Sequence, residues 1–431
     1  MSTRALFFVD TPHRLAGSQR SLLAALARVN EHGVDPLLVV PADGIVVERA
    51  RAAGVRVRVV DAPPSFHVYD RRLVDRGWAS QAVVFASEVV PFGATLARVA
   101  DDERADVLHF NTPRGIVTGG AAAGLSGRRA VLHLRGHAAI PRPYWLFAQA
   151  LADRFLLVAR ALLPDLSPSA ARRAEVVYNG VVAPPVVPRA EARARIAAAH
   201  EIALDDDVPI VLSLSSFTPF KGLHHLLEAL ARLAARGAAF HAIFAGGVVG
   251  DAYEGWLRRR VDELSLGERV RFVGFVSSTE ALLAAADVLA LPSVERETLA
   301  FEGRTIDVRG TEGLPRSVLE AMISGRCVVA SRVAGVEEQI EDGVTGFVVP
   351  PGDVDALTAA LSRALADPSL RAAIGERARE VAASRFSVDA AAGGLARALQ
   401  REAAAPAGRF APAIERGRAA AGLLGDALAR R

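Results

Sequence analysis

The sequence predicts an α/β protein of two doubly wound parallel-sheet domains joined by a linker. Three observations carry that expectation. At 431 residues the chain exceeds the usual size of one domain. Short apolar runs alternate with helix-length segments along most of it, the pattern of a parallel sheet covered by helices on both faces. The alternation is interrupted once, after the turn Tyr178-Asn179-Gly180, where the Pro-rich stretch Ala183–Pro188 reads as a linker.

Element by element, Leu6–Val9 reads as the first buried strand. The helix after it carries Leu22, Leu23, Leu26 and Val29, three and four apart, and stops near Gly33. Strands are expected at Pro36–Val40, Val55–Val60, Val107–Phe110, Val131–Leu134 and Phe155–Val158. A second series runs through Ile210–Leu214, Phe240–Ala245, Val270–Val273, Val288–Leu291, Cys327–Ala330 and Phe347–Val349. Between its first two members, apolar residues at 223, 226, 227, 230 and 233 mark a helix. Domains are therefore expected at 1–185 and 186–385, with an Ala/Arg-rich helical segment at 386–431. Two such units leave a cleft at the carboxyl ends of their strands, where these folds bind ligands.

Composition narrows the function classes. Half the residues are apolar and about a quarter charged, as in globular chains with substantial cores. A net charge of +3 on a chain this long does not call for a nucleic-acid partner. The one cysteine, Cys327, has no intrachain partner and excludes a multi-cysteine zinc site, so a reducing, cytoplasmic compartment is expected. Leu6–Val9 is too short for a signal-peptide core, and no later run reaches the roughly 18 uncharged apolar residues of a membrane helix.

The informative stretch is Thr311–Asp353. Pro315 suits the start of a helix that ends at Gly325, and the loop before it can aim backbone N–H groups at an anion. Glu312 falls in that loop and Glu320 within the helix. Taken singly, Glu312 is a capping residue and Arg316/Glu320 an ordinary pair four apart. Together, Glu312-Gly313-Leu314-Pro315-Arg316-Ser317 and Glu320-Ala321-Met322 resemble the signature of glycosyltransferase family 4, retaining enzymes with the GT-B fold. The likeness continues at Ala334-Gly335-Val336-Glu337-Glu338, Asp342–Phe347 and Pro350–Asp353, and upstream at Lys221-Gly222, Val273-Gly274-Phe275 and Leu291-Pro292-Ser293. It spans nearly all of residues 205–385. Over the first domain it rests on Ala16-Gly17-Ser18, Asp106–His109 and Tyr178-Asn179-Gly180.

The resemblance implies a nucleoside-diphosphate sugar as donor substrate, with no cofactor and no metal. Glu320 would hold the donor ribose, and Glu312 with the backbone of Gly313 and Leu314 the transferred sugar. Lys221 would neutralise the diphosphate, helped by N–H groups near Arg316 and Ser317. Gly17, Ser216, Gly274, Phe275 and Pro315 complete the expected donor surface. Two positions depart from the pattern. Ser216 stands where the family has an arginine, so one phosphate-binding charge is missing or supplied from elsewhere, with Arg316 a candidate. Arg135 aligns with the family's histidine facing the reacting sugar, and His137 follows two residues later; an arginine is no base, though it can stabilise phosphate charge. His133 reads as a core residue. Val294–Gly310, with Glu295, Glu297 and Glu302, reads as an inserted loop without structure of its own.

Other motifs carry less. Asp205-Asp206-Asp207 and Asp353-Val354-Asp355 sit at element ends, where aspartate caps helices. Gly246–Gly250 lacks the spacing of a dinucleotide fingerprint, and Lys221 lacks the glycines of a P-loop. Arg142–Phe147 reads as a helix start or as a peripheral contact with the inner face of the membrane. The acceptor stays open among a saccharide, a lipid-linked molecule and a small molecule, as in cell-surface polysaccharide or glycolipid synthesis. A phosphate or sugar-phosphate acceptor is one alternative; a binding or scaffold protein that keeps the fold without turnover is another.

Overall fold

The computed structural model describes residues 2–13, 15–67, 78–138, 140–247, 251–276, 278–310 and 312–408. Thr311, part of Gly246–Gly250 and residues 409–431 of the expected terminal segment lie outside them. The chain forms two units, one of the residues up to Gly180 with those from Val388 onward, the other Val181–Ser387.

The first unit is a seven-stranded parallel sheet: β1 Thr3–Phe8, β2 Val34–Val40, β3 Arg56–Val59, β4 Val107–Phe110, β5 Arg129–Leu134, β6 Arg154–Leu157 and β7 Ala174–Val176. Their order is β3-β2-β1-β4-β5-β6-β7. The inner strands β1, β2, β4, β5 and β6 are largely apolar runs, as expected where helices cover both faces. The helix Gly17–Leu26 gives way to a 3₁₀ turn, Val29–His32, which Gly33 ends at φ +81°. β7 escaped sequence reading because Ala-Glu-Val is a three-residue, half-buried edge strand with no apolar run to mark it.

The second unit repeats the plan. Its strands are β8 Ile210–Leu214, β9 His241–Ala245, β10 Val270–Gly274, β11 Val288–Leu291, β14 Cys327–Ser331 and β15 Phe347–Val349, in the order β10-β9-β8-β11-β14-β15. The helix Leu223–Ala235 buries Leu223, Leu226, Leu227, Leu230 and Leu233 against this sheet, each contributing roughly 1.5–3 kcal/mol. Cys327 lies buried in β14, and burial pushes its thiol up to about 12, which makes it inert. In both sheets the strand order reverses beside the first strand, between β1 and β4 and between β8 and β11. Such reversals open a crevice at the carboxyl ends of the strands.

Two expectations need correction. Val294–Gly310 is not an excursion without structure but a β-hairpin, β12 Arg296–Phe301 paired antiparallel with β13 Arg304–Arg309. Its two turn residues, Glu302 and Gly303, both take positive φ, the two-residue turn that matches strand twist. Leu299, Phe301 and Val308 bury its inner face in the second core. The helical run Ser80–Asp102 is by length and composition apolar enough to cross a membrane, with 33% of its most apolar window buried. Glu88 and Arg98 interrupt it, so it holds no uncharged run of membrane length, and Phe92, Leu96, Val99 and Ala100 are buried. The terminal stretch, expected as a segment of its own, contributes the helix Val388–Ala404 to the first unit, where Leu395 and Leu399 join the core.

Candidate functional site

The best-defined cluster forms where the second sheet reverses. After β8 the chain makes a 3₁₀ turn, Pro219–Lys221, that ends at Gly222 with φ +65°. A side chain at Gly222 would place Cβ 1.9 Å from the Pro292 carbonyl oxygen, so only glycine lets this loop lie against the one after β11. That approach sets Lys221 beside the next residue of the second loop, Ser293. The Lys221 ammonium and the Ser293 hydroxyl both donate to Glu312 Oε1, the latter at 2.9 Å. Glu312 is only 8% exposed, and these two donors offset the cost of burying its charge. Lys221 Nζ also lies 4.9 Å over the Phe220 ring.

The loop after Glu312 is braced from behind. Gly335 N–H donates to the Gly313 carbonyl and Gln339 Nε2 to the Pro315 carbonyl, each at 2.9 Å. Leu314 is buried. The motif around Gly335 thus holds the backbone of the Glu312 loop. The helix Arg316–Ile323 begins directly after Pro315 without a side-chain cap, and a helix N-terminus favours an anion. It stops at Gly325, φ +69°, where the N–H groups of Gly325 and Arg326 donate to the Met322 and Ala321 carbonyls. Arg316 Nε donates to Glu320 Oε1 at 2.7 Å, so these residues form the pair their spacing allows. The Ser216 hydroxyl lies 3.4 Å from that of Thr218. Gly274, φ +70°, accepts from Gly246 N–H at 2.8 Å, and Phe275 is 69% exposed.

In the first unit Arg135 follows β5 and is clasped by residues that follow β4 and β7. Its Nε donates to Asn111 Oδ1 and its Nη1 to Asn179 Oδ1, each at 2.8 Å. Burial brings the guanidinium down to about 9, still charged at neutral pH. Beneath it His109 and His133 meet edge to face, with Nε2 and Nδ1 3.1 Å apart. Burial and then the Arg135 charge hold both well below the usual histidine range, so they are neutral. His137 has a different partner: its Nδ1 is 2.9 Å from Asp165 Oδ2, which also accepts from Ala138 N–H. Burial alone would raise the Asp165 carboxyl; the His137 and Ala138 hydrogen bonds outweigh it and hold it below the usual range. Gly17 opens the uncapped helix Gly17–Leu26, and a Cβ there would meet nothing within 4 Å. Among the described residues no contact therefore demands glycine at that position.

Sequence reading did not assign Ser293, Asn111, Asn179 or Asp165 to a site. Ser293 and Asn179 stood inside motifs already singled out, and Asn111 directly follows a strand. Asp165 carries no local signal, since only folding brings it to His137. Asp353 caps the helix Val354–Ala366 by accepting from Ala356 N–H, the role its position suggested.

Residues 195–381 match the family model of glycosyl transferases group 1. The match spans most of the second unit. Among curated relatives of this group 1 domain, a lipopolysaccharide core biosynthesis glycosyltransferase of Rhizobium meliloti is 31% identical over 198 residues, 46% of this chain and 52% of the relative. A GDP-mannose-dependent phosphatidylinositol monomannoside mannosyltransferase of Mycolicibacterium smegmatis is 37% identical over 214 residues, 49% of this chain and 52% of the relative. The chain thus spans about half the length of the curated relatives it matches. Solved structures extend the likeness beyond the group 1 domain. Anabaena HepE in complex with UDP and glucose superposes with a TM-score of 0.74 at 23% identity, covering 93% of this chain and all of that one. A glycosyltransferase of Rickettsia africae gives 0.76 at 16% identity, covering 93% and 98%. The fold is that of the GT-B class, two Rossmann-like parallel-sheet domains.

Proposed function

We propose that the chain is a retaining glycosyltransferase of family 4 type, moving a sugar from a nucleoside-diphosphate sugar to an acceptor hydroxyl. The observation that carries this reading is the convergence of Lys221, Ser293 and Glu312 at the reversal point of the second sheet, ahead of an uncapped helix N-terminus. In this reading the donor diphosphate draws Lys221 from Glu312 and lies against the first-turn N–H groups near Arg316 and Ser317. Glu312, steadied by Ser293, accepts hydrogen bonds from the transferred sugar, and Glu320 holds the ribose. The bond between the anomeric carbon and the phosphate oxygen breaks as the acceptor oxygen attacks from the same face. The acceptor proton passes to the departing phosphate. Lys221 and the helix terminus stabilise the charge that grows on that phosphate, with no metal ion required.

The relatives' names support a nucleotide-sugar donor and an acceptor in cell-surface polysaccharide or glycolipid synthesis. A second reading, a binding protein without turnover, draws on Ser216 and Arg135 at positions where the family has arginine and histidine. Donor hydrolysis by the purified protein separates the two. The donor site is tested by calorimetry with UDP and GDP, with and without Mg²⁺. Glu320→Ala is expected to weaken the preferred nucleotide by ~1.5–3 kcal/mol, the worth of a hydrogen bond to a charged group, and Mg²⁺ to change affinity little. Unchanged affinity in Glu320→Ala removes the ribose assignment, and binding that appears only with Mg²⁺ removes the metal-free one.

A further inference from the structure

We propose that His224, His225 and Glu297 form a binding site for a divalent cation of the zinc class, one that ties the hairpin β12–β13 to the first turn of the helix Leu223–Ala235. The site lies beyond the donor residues and does not depend on the reaction assigned above.

Glu297 occupies an unusual place in its hairpin. With period two along β12 it shares the inward face with Leu299 and Phe301, and its partner across the ladder is Val308. A carboxylate in that apolar row needs compensation. It meets two imidazoles: His225 Nε2 lies 2.7 Å from Oε2 and His224 Nε2 3.0 Å from Oε1. One ligand atom from each of the three residues falls within 4.8 Å of the others.

The second observation concerns His224 itself. It is only 7% exposed, and its Nδ1 is already engaged 2.8 Å from the Tyr253 hydroxyl. Its Nε2 and Glu297 Oε1 face each other, yet neither takes part in a hydrogen bond. The two buried atoms lie 3.0 Å apart, the distance of an ion pair when the imidazole is protonated, and a cation between them would satisfy both. The donor set suits zinc: imidazole nitrogen and carboxylate oxygen, with no thiolate. Bonds of about 2.0–2.1 Å set tetrahedral ligands about 3.3 Å apart, so the two nitrogen–oxygen pairs at 2.7 and 3.0 Å open to admit the ion while the widest separation, within 4.8 Å, closes around it. Tyr253 fixes the His224 ring from behind, the outer-shell contact typical of metal-bound histidine. The sequence offered no ligand pattern, because the histidines are adjacent and the glutamate comes from the insertion.

The test uses untagged full-length protein stripped of metal and dialysed. Zn²⁺ is titrated by calorimetry, and Co²⁺ serves as a spectroscopic probe of the same site. The expected result is one equivalent bound, intense visible bands of four-coordinate cobalt, and a Zn²⁺-dependent rise in Tm. Glu297→Gln and His225→Ala are expected to abolish all three, and Tyr253→Phe to weaken Zn²⁺ binding about 10–100-fold. His13→Ala, an exposed histidine elsewhere, should leave binding intact. Circular dichroism confirms the fold of each variant. If Glu297→Gln fails to fold, the wild-type cobalt spectrum and Tyr253→Phe decide. No stoichiometric uptake by the wild type, or uptake that survives both Glu297→Gln and His225→Ala, overturns the proposal.

Discussion

Lys221 owes its position to its neighbour. Gly222 alone permits the loop after β8 to touch the Pro292 carbonyl, and that contact brings the ammonium to Ser293 and Glu312. In the proposed reaction it is the main fixed cation on the leaving diphosphate, since Ser216 supplies no charge. Lys221→Ala is therefore expected to lower kcat/KM by about a hundredfold or more, the scale for removing one electrostatic stabiliser. Steady-state kinetics on a variant with an unchanged circular dichroism spectrum checks this. A variant that keeps more than about half the wild-type value, far from that scale, shows that other groups hold the diphosphate. Arg135 illustrates the limit of reading single residues. Its alignment with a histidine position was visible in the chain, but the two asparagines that clasp it come from loops after β4 and β7. No local pattern names them.

At the scale of elements the hairpin β12–β13 separates reading from folding. Its sequence mixes three arginines and two glutamates with isolated apolar residues, and its turn is Glu-Gly, where hairpin signals favour Asn-Gly or Asp-Gly. Only its place on the second core shows that Leu299, Phe301 and Val308 share one buried face. Phe301 meets the Tyr253 and Trp256 rings at 6.1 and 5.5 Å, and a Cβ at Gly310 would clash with the Phe220 ring next to Lys221. Phe301→Ala is expected to cost about 3–5 kcal/mol of stability, as for other buried aromatics, and to weaken nucleotide binding by loosening the loop at Phe220. Thermal melts and calorimetry measure the two effects. An unchanged Tm means that the hairpin adds nothing to the second unit.

At the scale of the whole molecule the helix Val388–Ala404 belongs to the first core although it follows the last strand of the second. Its Leu395, Ala396 and Leu399 are buried there, Arg129 pairs with Glu402 at 2.6 Å, and Gln400 donates to the His32 carbonyl at 2.9 Å. Each buried leucine contributes roughly 1.5–3 kcal/mol. A chain ending at Ser387 is therefore expected to show an early calorimetric transition from the first unit, with the second unit's transition little changed. Identical thermograms for full-length and truncated protein contradict this placement.

The amino-acid sequence by itself determined the two doubly wound units and most of their strands, because apolar runs and helical spacing are local properties. Resemblance to a known family marked Lys221 and Glu312, and Pro315 marked the helix start because proline constrains the backbone wherever it stands. Tertiary structure alone decided the rest. It sent the last described helix back to the first core, folded the charged insertion into a hairpin, and brought Ser293 to Glu312, Asp165 to His137 and Glu297 to His224. Each of these depends on burial or on partners distant in the chain, and no local window of residue types records which surfaces will meet.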